Sequence, residues 1–132
     1  MDLNDLHFIL FNMHIFYSIA LGIWAAYMAV QSEPISGGYW GALLIGSGLA
    51  AVVTLVGVVM TLQGLRPQRI VIYYLYMAFL IVIMPGLFSL MRGRDDRSAA
   101  IAFSILAFFN ATTSFSMVQR SILGPWLLPD AF

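Results

Sequence analysis

The chain has 132 residues, 61% of them hydrophobic, and its six basic and six acidic side chains balance to a net charge of zero. Soluble domains carry roughly 25% charged residues against the 9% found here, so a water-soluble core is excluded. The neutral balance gives no footing for a nucleic-acid partner, and the lack of cysteine removes disulfides, thiolate metal sites and cysteine-attached haem.

Four apolar runs, at 8–30, 38–62, 70–91 and 98–119, contain none of the charged side chains. Each is long enough to cross a hydrocarbon layer of ~30 Å at ~1.5 Å per residue. The sequence predicts an all-α integral membrane protein, with residues 1–132 forming one domain. Its four transmembrane helices run as an up-down bundle followed by an interfacial C-terminal tail. These spans and their connections leave no length for a catalytic head. The first run is flanked by Asp2 and Asp5 instead of lysines, so it reads as a retained helix and not as a cleaved signal.

The first helix carries His7, Phe11, His14, Ser18, Gly22, Ala25 and Ala29 near one face. His14 is the ionisable group expected deepest in the membrane, where such a group is a functional-site hypothesis by default. His7 lies two turns earlier, closer to the water boundary. A neutral imidazole suits the metal of a haem or chlorin. Two histidines seven apart on one helix sit ~10 Å apart along its axis and cannot clamp one iron. A second ligand would come from Met60, Met77, Met84 or another chain. The plainer expectation pairs His14 with a hydroxyl or amide on a neighbouring helix, Asn110 among them. Asn12 and Asn110 are both expected to face protein, because an unpaired amide is costly in hydrocarbon.

The first helix is expected to stop before Glu33-Pro34, since proline disfavours helix at the residue before it. The second carries Gly38, Ala42, Gly46 and Ala50 at four-residue spacing, a pattern that lets backbones approach closely. With Ser18, Gly22 and Ala25 of the first helix, this stripe is expected to serve helix packing, either inside the bundle or as the interface with partner subunits. Gly64 is placed to cap the second helix, with Pro67 just beyond it. Pro85-Gly86 predicts a kink or early stop in the third.

Arg92, Arg94, Asp95, Asp96 and Arg97 form the one charge cluster. It is expected to be a solvated turn that caps the fourth helix through Asp95, Asp96 or Ser98, and a docking element for a partner loop. The polar stretch 110–116 of that helix suits interhelical hydrogen bonds or a small quinone-headgroup pocket. The tail holds Pro125 and Pro129 around Trp126, which is expected at headgroup depth. Trp24, Tyr27, Tyr39 and Trp40 would form one aromatic belt; Tyr73, Tyr74, Tyr76 and Trp126 would form the other.

No nucleophile–base pair, metal-ligand set or phosphate loop is visible. Proton-coupled small multidrug transporters share the length and helix count but need a carboxylate inside the first span, which this chain lacks. The function expected is that of a non-catalytic accessory subunit of a larger membrane complex, of the respiratory or photosynthetic electron-transfer kind. Its partners would be other integral membrane subunits and the bilayer, with lipid or quinone as possible bound groups. The alternatives are a haem- or pigment-binding protein using His14 and a small homo-oligomeric transporter or channel. The expected location is the bacterial inner membrane. Arginines divide three against three between the two sides, with a slight lean to cytoplasmic termini because Arg66 and Arg69 have no aspartates beside them.

Overall fold

The computed structural model describes residues 2–128. Four helices, each long and apolar enough to span a membrane, make up the structure: α1 Leu3–Val30, α2 Gly37–Leu62, α3 Ile70–Leu90 and α4 Arg97–Gln119. No strand occurs among the described residues; one bridge joins Arg66 to Leu127. Pro129, expected in the tail, lies outside the described residues.

The helix ends follow from local chemistry. α1 begins at Leu3, earlier than the apolar run, because the Asp2 carboxylate accepts from the Asp5 amide at 2.9 Å and caps the first turn. His7 therefore sits in the second turn of a formed helix instead of at a frayed boundary. Ser36 caps α2 through the Tyr39 amide, and Gly64, at φ +88°, follows its end in the left-handed conformation that glycine tolerates. α3 runs through Pro85 to Leu90 without stopping. A proline inside a helix removes one backbone donor but leaves the flanking turns able to continue.

Around the bundle the order is α4–α1–α2–α3, each neighbour antiparallel. α1 packs most extensively on α4, then on α2; α2 packs on α3; α3 and α4 touch least. Polar hooks set the register of the closed seams. Ser104 Oγ donates to the Gly22 carbonyl at 2.9 Å across α4 and α1. Tyr17 Oη donates to the Ala42 carbonyl at 2.6 Å across α1 and α2. The hydroxyls of Thr61 and Tyr74 bond at 2.7 Å across α2 and α3. No such hook joins α3 to α4 among the hydrogen bonds of the described residues.

The tail is a clasp. Beyond α4 it returns over the end of the bundle where α1 begins. Asn4 exchanges two hydrogen bonds with the Trp126 backbone, at 2.8 and 2.9 Å, and Leu127 exchanges two with Arg66, at 2.8 and 2.9 Å. Trp126 is thereby 1% exposed, and its Nε1 donates to the Leu123 carbonyl. Trp126, expected at headgroup depth, is thus packed into the end of the bundle. The indole closes the bundle from inside. Tyr39 and Tyr73, assigned to the belts by sequence, are also fully buried, because they fall on the inward faces of α2 and α3.

Candidate functional site

At the clasped end, two aromatic side chains and an imidazole share one pocket of protein. His7 Nε2 and Tyr73 Oη lie 2.6 Å apart, joining α1 to α3 across the bundle. The Trp126 ring meets Tyr73 edge-on at 4.9 Å and His7 at 5.6 Å. Gly57 of α2 makes room: a Cβ there would stand 2.7 Å from Tyr73 Oη. A crevice of about 300 Å³ adjoins this cluster, between the start of α1 and the tail.

Two turns deeper on the same face, His14 enters the centre of the bundle. It is 3% exposed, as is Asn110 of α4, and both line a cavity to which all four helices contribute. The expected direct bond between them is not formed. His14 Nδ1 and Asn110 Oδ1 are both buried without a hydrogen-bond partner, as are Ser114 Oγ and Tyr39 Oη. A buried polar atom left unpaired costs ~1–3 kcal/mol, so the centre of this bundle holds unmet hydrogen-bonding capacity. Asn12 behaves differently from expectation: it is half-buried and its amide donates to the Phe8 carbonyl of its own helix.

The two imidazoles have different room around them. Pockets for organic ligands run to ~300–1,000 Å³, whereas the space beside His14 is about 10 Å³, room for the centre of one water. The Nε2 atom of His7 is engaged by Tyr73. In this packing the space beside His14 is therefore too small for a tetrapyrrole. Among the described residues no group of three histidine, aspartate, glutamate or cysteine side chains converges on a possible metal position.

The small-residue stripes are largely internal. Ser18, Gly22 and Ala25 of α1 and Gly46 and Ala50 of α2 are all buried within the chain. A Cβ on Gly46 would stand 3.0 Å from the Tyr17 ring, and one on Gly22 would stand 2.9 Å from Phe108. Ala42 is half-buried and gives its carbonyl to Tyr17; Gly38 alone of the seven is exposed. The close approach that the spacing announces is made to the chain's own neighbouring helices. Of the two uses expected for this stripe, helix packing within the bundle accounts for the buried positions, and Gly38 alone lies open.

The charge cluster is likewise tied inward. Asp96 caps α4 through the Ala99 amide at 2.9 Å and pairs with Arg94 at 2.7 Å on the surface. The hydrogen bond from Arg94, with that from the Ala99 amide, holds the Asp96 carboxyl below the usual carboxylate range. Arg97 Nε donates to the Ala29 carbonyl at the end of α1, and the Asp95 carbonyl accepts from the Ile35 amide. Arg92 is exposed. The turn docks onto the first loop of the same chain, which uses two of its elements in the fold.

The open feature is the seam between α3 and α4. A crevice of about 530 Å³ lies on the side nearer the clasp, lined by Tyr76, Phe79, Thr112, Thr113, Ser116 and Arg120 among others. A second, of about 540 Å³, continues toward the other end between Ile83, Gly86 and Leu87 on one wall and Ala102, Ile105 and Leu106 on the other. Phe109 borders both and meets Phe79 edge-on at 6.1 Å. Stretch 110–116 thus divides: Asn110 and Ser114 point inward, while Thr112, Thr113 and Ser116 face this seam. No family model, no curated protein and no solved structure is significantly similar to this chain.

Proposed function

We propose that the chain is an integral membrane protein acting as a non-catalytic subunit of a larger membrane assembly, with the α3/α4 side as its docking face. The observation that carries this reading is the open seam beside three closed ones. Helix association in lipid depends on van der Waals fit and on hydrogen bonds, and α1–α4, α1–α2 and α2–α3 each have both. Along the half away from the clasp, the α3/α4 seam has a wall of apolar side chains with no matching surface. An apolar helix from another subunit supplies that surface. The bacterial inner membrane remains the proposed location, with the termini in the cytoplasm, where Arg69 and Arg120 lie on the favoured side for basic residues.

The absence of cysteine makes the test clean. Single cysteines at Ile105, 65% exposed in the seam, and at Phe16, 71% exposed on α1, report two different faces. In native membranes Ile105→Cys is expected to form a specific cross-link to another polypeptide, and Phe16→Cys to form none. Equal labelling at both positions would remove the docking face. A cross-link only to a second copy of this chain would replace the hetero-assembly with a homo-oligomer.

A second reading rests on the polar end of the seam. Thr112, Thr113, Ser116 and Arg120 line its first half, and the second half is apolar throughout. That gradient matches an amphiphile with an anionic headgroup, seated lengthwise. Under this reading Arg120→Gln weakens retention of acidic lipid through detergent purification, while cross-linking at 105 finds no protein.

A further inference from the structure

We propose that the cavity at the centre of the bundle is a binding site for one neutral hydrogen-bonding molecule of water size, and that its occupant is a resident water bridging His14 Nδ1 to Asn110 Oδ1. This inference is independent of the docking face.

The two side chains come from different helices, are each 3% exposed, and border the same enclosed space. Their orphaned atoms are the ones a bridging molecule would satisfy. The volume, about 10 Å³, is at the threshold for a single water and far below that of any larger ligand. Ser18 and Ser47 also line the space, and their hydroxyls rotate to donate or accept as the occupant requires. A water at a polar site needs two to four partners, and these four residues supply them.

The chemistry of the walls selects the occupant. The amide oxygen of Asn110 only accepts, so the bound molecule must donate to it. Apolar gases fail that requirement. A cation is excluded by charge, since no carboxylate lines the space and an uncompensated ion in a low-dielectric interior is strongly disfavoured. His14 Nδ1 accepts or donates according to which ring nitrogen carries the proton. Water satisfies both atoms with either tautomer.

Phe11, 0% exposed, holds its ring 6.2 Å from that of His14 at a 37° tilt, on the same face of α1 between His14 and His7. On the other side Leu21, Leu43 and Met84 complete the lining. The water is a fixed structural link between α1 and α4 instead of a molecule in transit.

The chain holds two histidines, so protein labelled with ¹⁵N-histidine gives two imidazole signals, with the Tyr73-bonded ring of His7 as internal reference. Water-edited solid-state NMR in lipid bilayers is expected to show polarisation transfer from water to the His14 ring. Asn110→Ala, which keeps the space but removes the bridge partner, is expected to change the His14 Nδ1 shift while leaving that of His7 in place. A His14 ring without a water contact would overturn the proposal. So would a direct contact between the Asn110 amide and the imidazole with no water between them. The wild-type spectrum decides by itself should the variant fail to fold.

Discussion

Gly57→Ala is expected to lower the thermal stability of the detergent-solubilised protein more than the same change at Gly46, with Gly22→Ala near neutral. All three glycines sit at helix contacts, and alanine is favoured over glycine inside a helix by ~1 kcal/mol. The order comes from what the added methyl meets and whether that neighbour can move. At Gly57 it would stand 2.7 Å from Tyr73 Oη, on a fully buried side chain bonded to His7 and wedged by Trp126. Moving Tyr73 breaks that bond and opens the packing of the clasped end. Overpacking costs ~1–3 kcal/mol and the lost hydrogen bond ~1 kcal/mol, so a net loss of about 1–3 kcal/mol remains after the propensity gain. At Gly46 the neighbour is the Tyr17 ring at 3.0 Å, restrained by its bond to the Ala42 carbonyl. At Gly22 it is the outer edge of Phe108, which is 39% exposed and free to swing outward. Melting curves of the three variants in one detergent test the ranking; indistinguishable shifts would mean that these contacts do not govern stability.

Trp126→Ala is expected to destabilise by ~3–5 kcal/mol, the range for removing a large buried aromatic. It deletes the side chain that covers His7 and Tyr73. Trp126→Phe keeps most of that cover and loses the Nε1 bond to Leu123, at a cost of ~1 kcal/mol. A tryptophan serving only as a headgroup anchor would give a different result: little change in melting for either variant, with a fluorescence maximum typical of the interface. Proteolysis of the tail beyond residue 120 offers a second measure, expected to accelerate in Trp126→Ala and not in Trp126→Phe.

The four helices and the inward face of α1 were legible in the sequence, for a simple reason. Hydropathy over a long window marks a span, and His7, Phe11, His14, Ser18, Gly22 and Ala25 recur at the three- and four-residue spacing of one helix face; all six are buried. Local caps were legible too, at Gly64 and Asp96. What was not legible is which surface each face meets. Small residues at four-residue spacing announce close approach without naming the approaching helix, so Gly46 and Ala50 read equally as partner contacts and as the α1–α2 seam they form. Tyr39, Tyr73 and Trp126 illustrate the same loss. An aromatic residue near the end of an apolar run has one sequence signature whether it points to headgroups or to the core. The His7–Tyr73 bond joins helices diagonal in the bundle, and the α3/α4 opening is a property of three dimensions with no local signal. The start of α1 was missed because its cap, Asp2, precedes the apolar run instead of belonging to it.

The dominance of α1–α4 packing has a consequence for how the protein is made. Helices inserted one after another into a bilayer associate as partners become available, and the main partner of α1 is the last of the four to emerge. With synthesis at ~5–20 residues per second, α1 waits several seconds in lipid with His14 and Gly22 uncovered on its α4 side. The two bonds between Asn4 and Trp126, 122 positions apart, form later still. These bonds therefore close only after α4 has packed, and a nascent chain arrested before α4 leaves uncovered the α1 surface that the folded bundle hides.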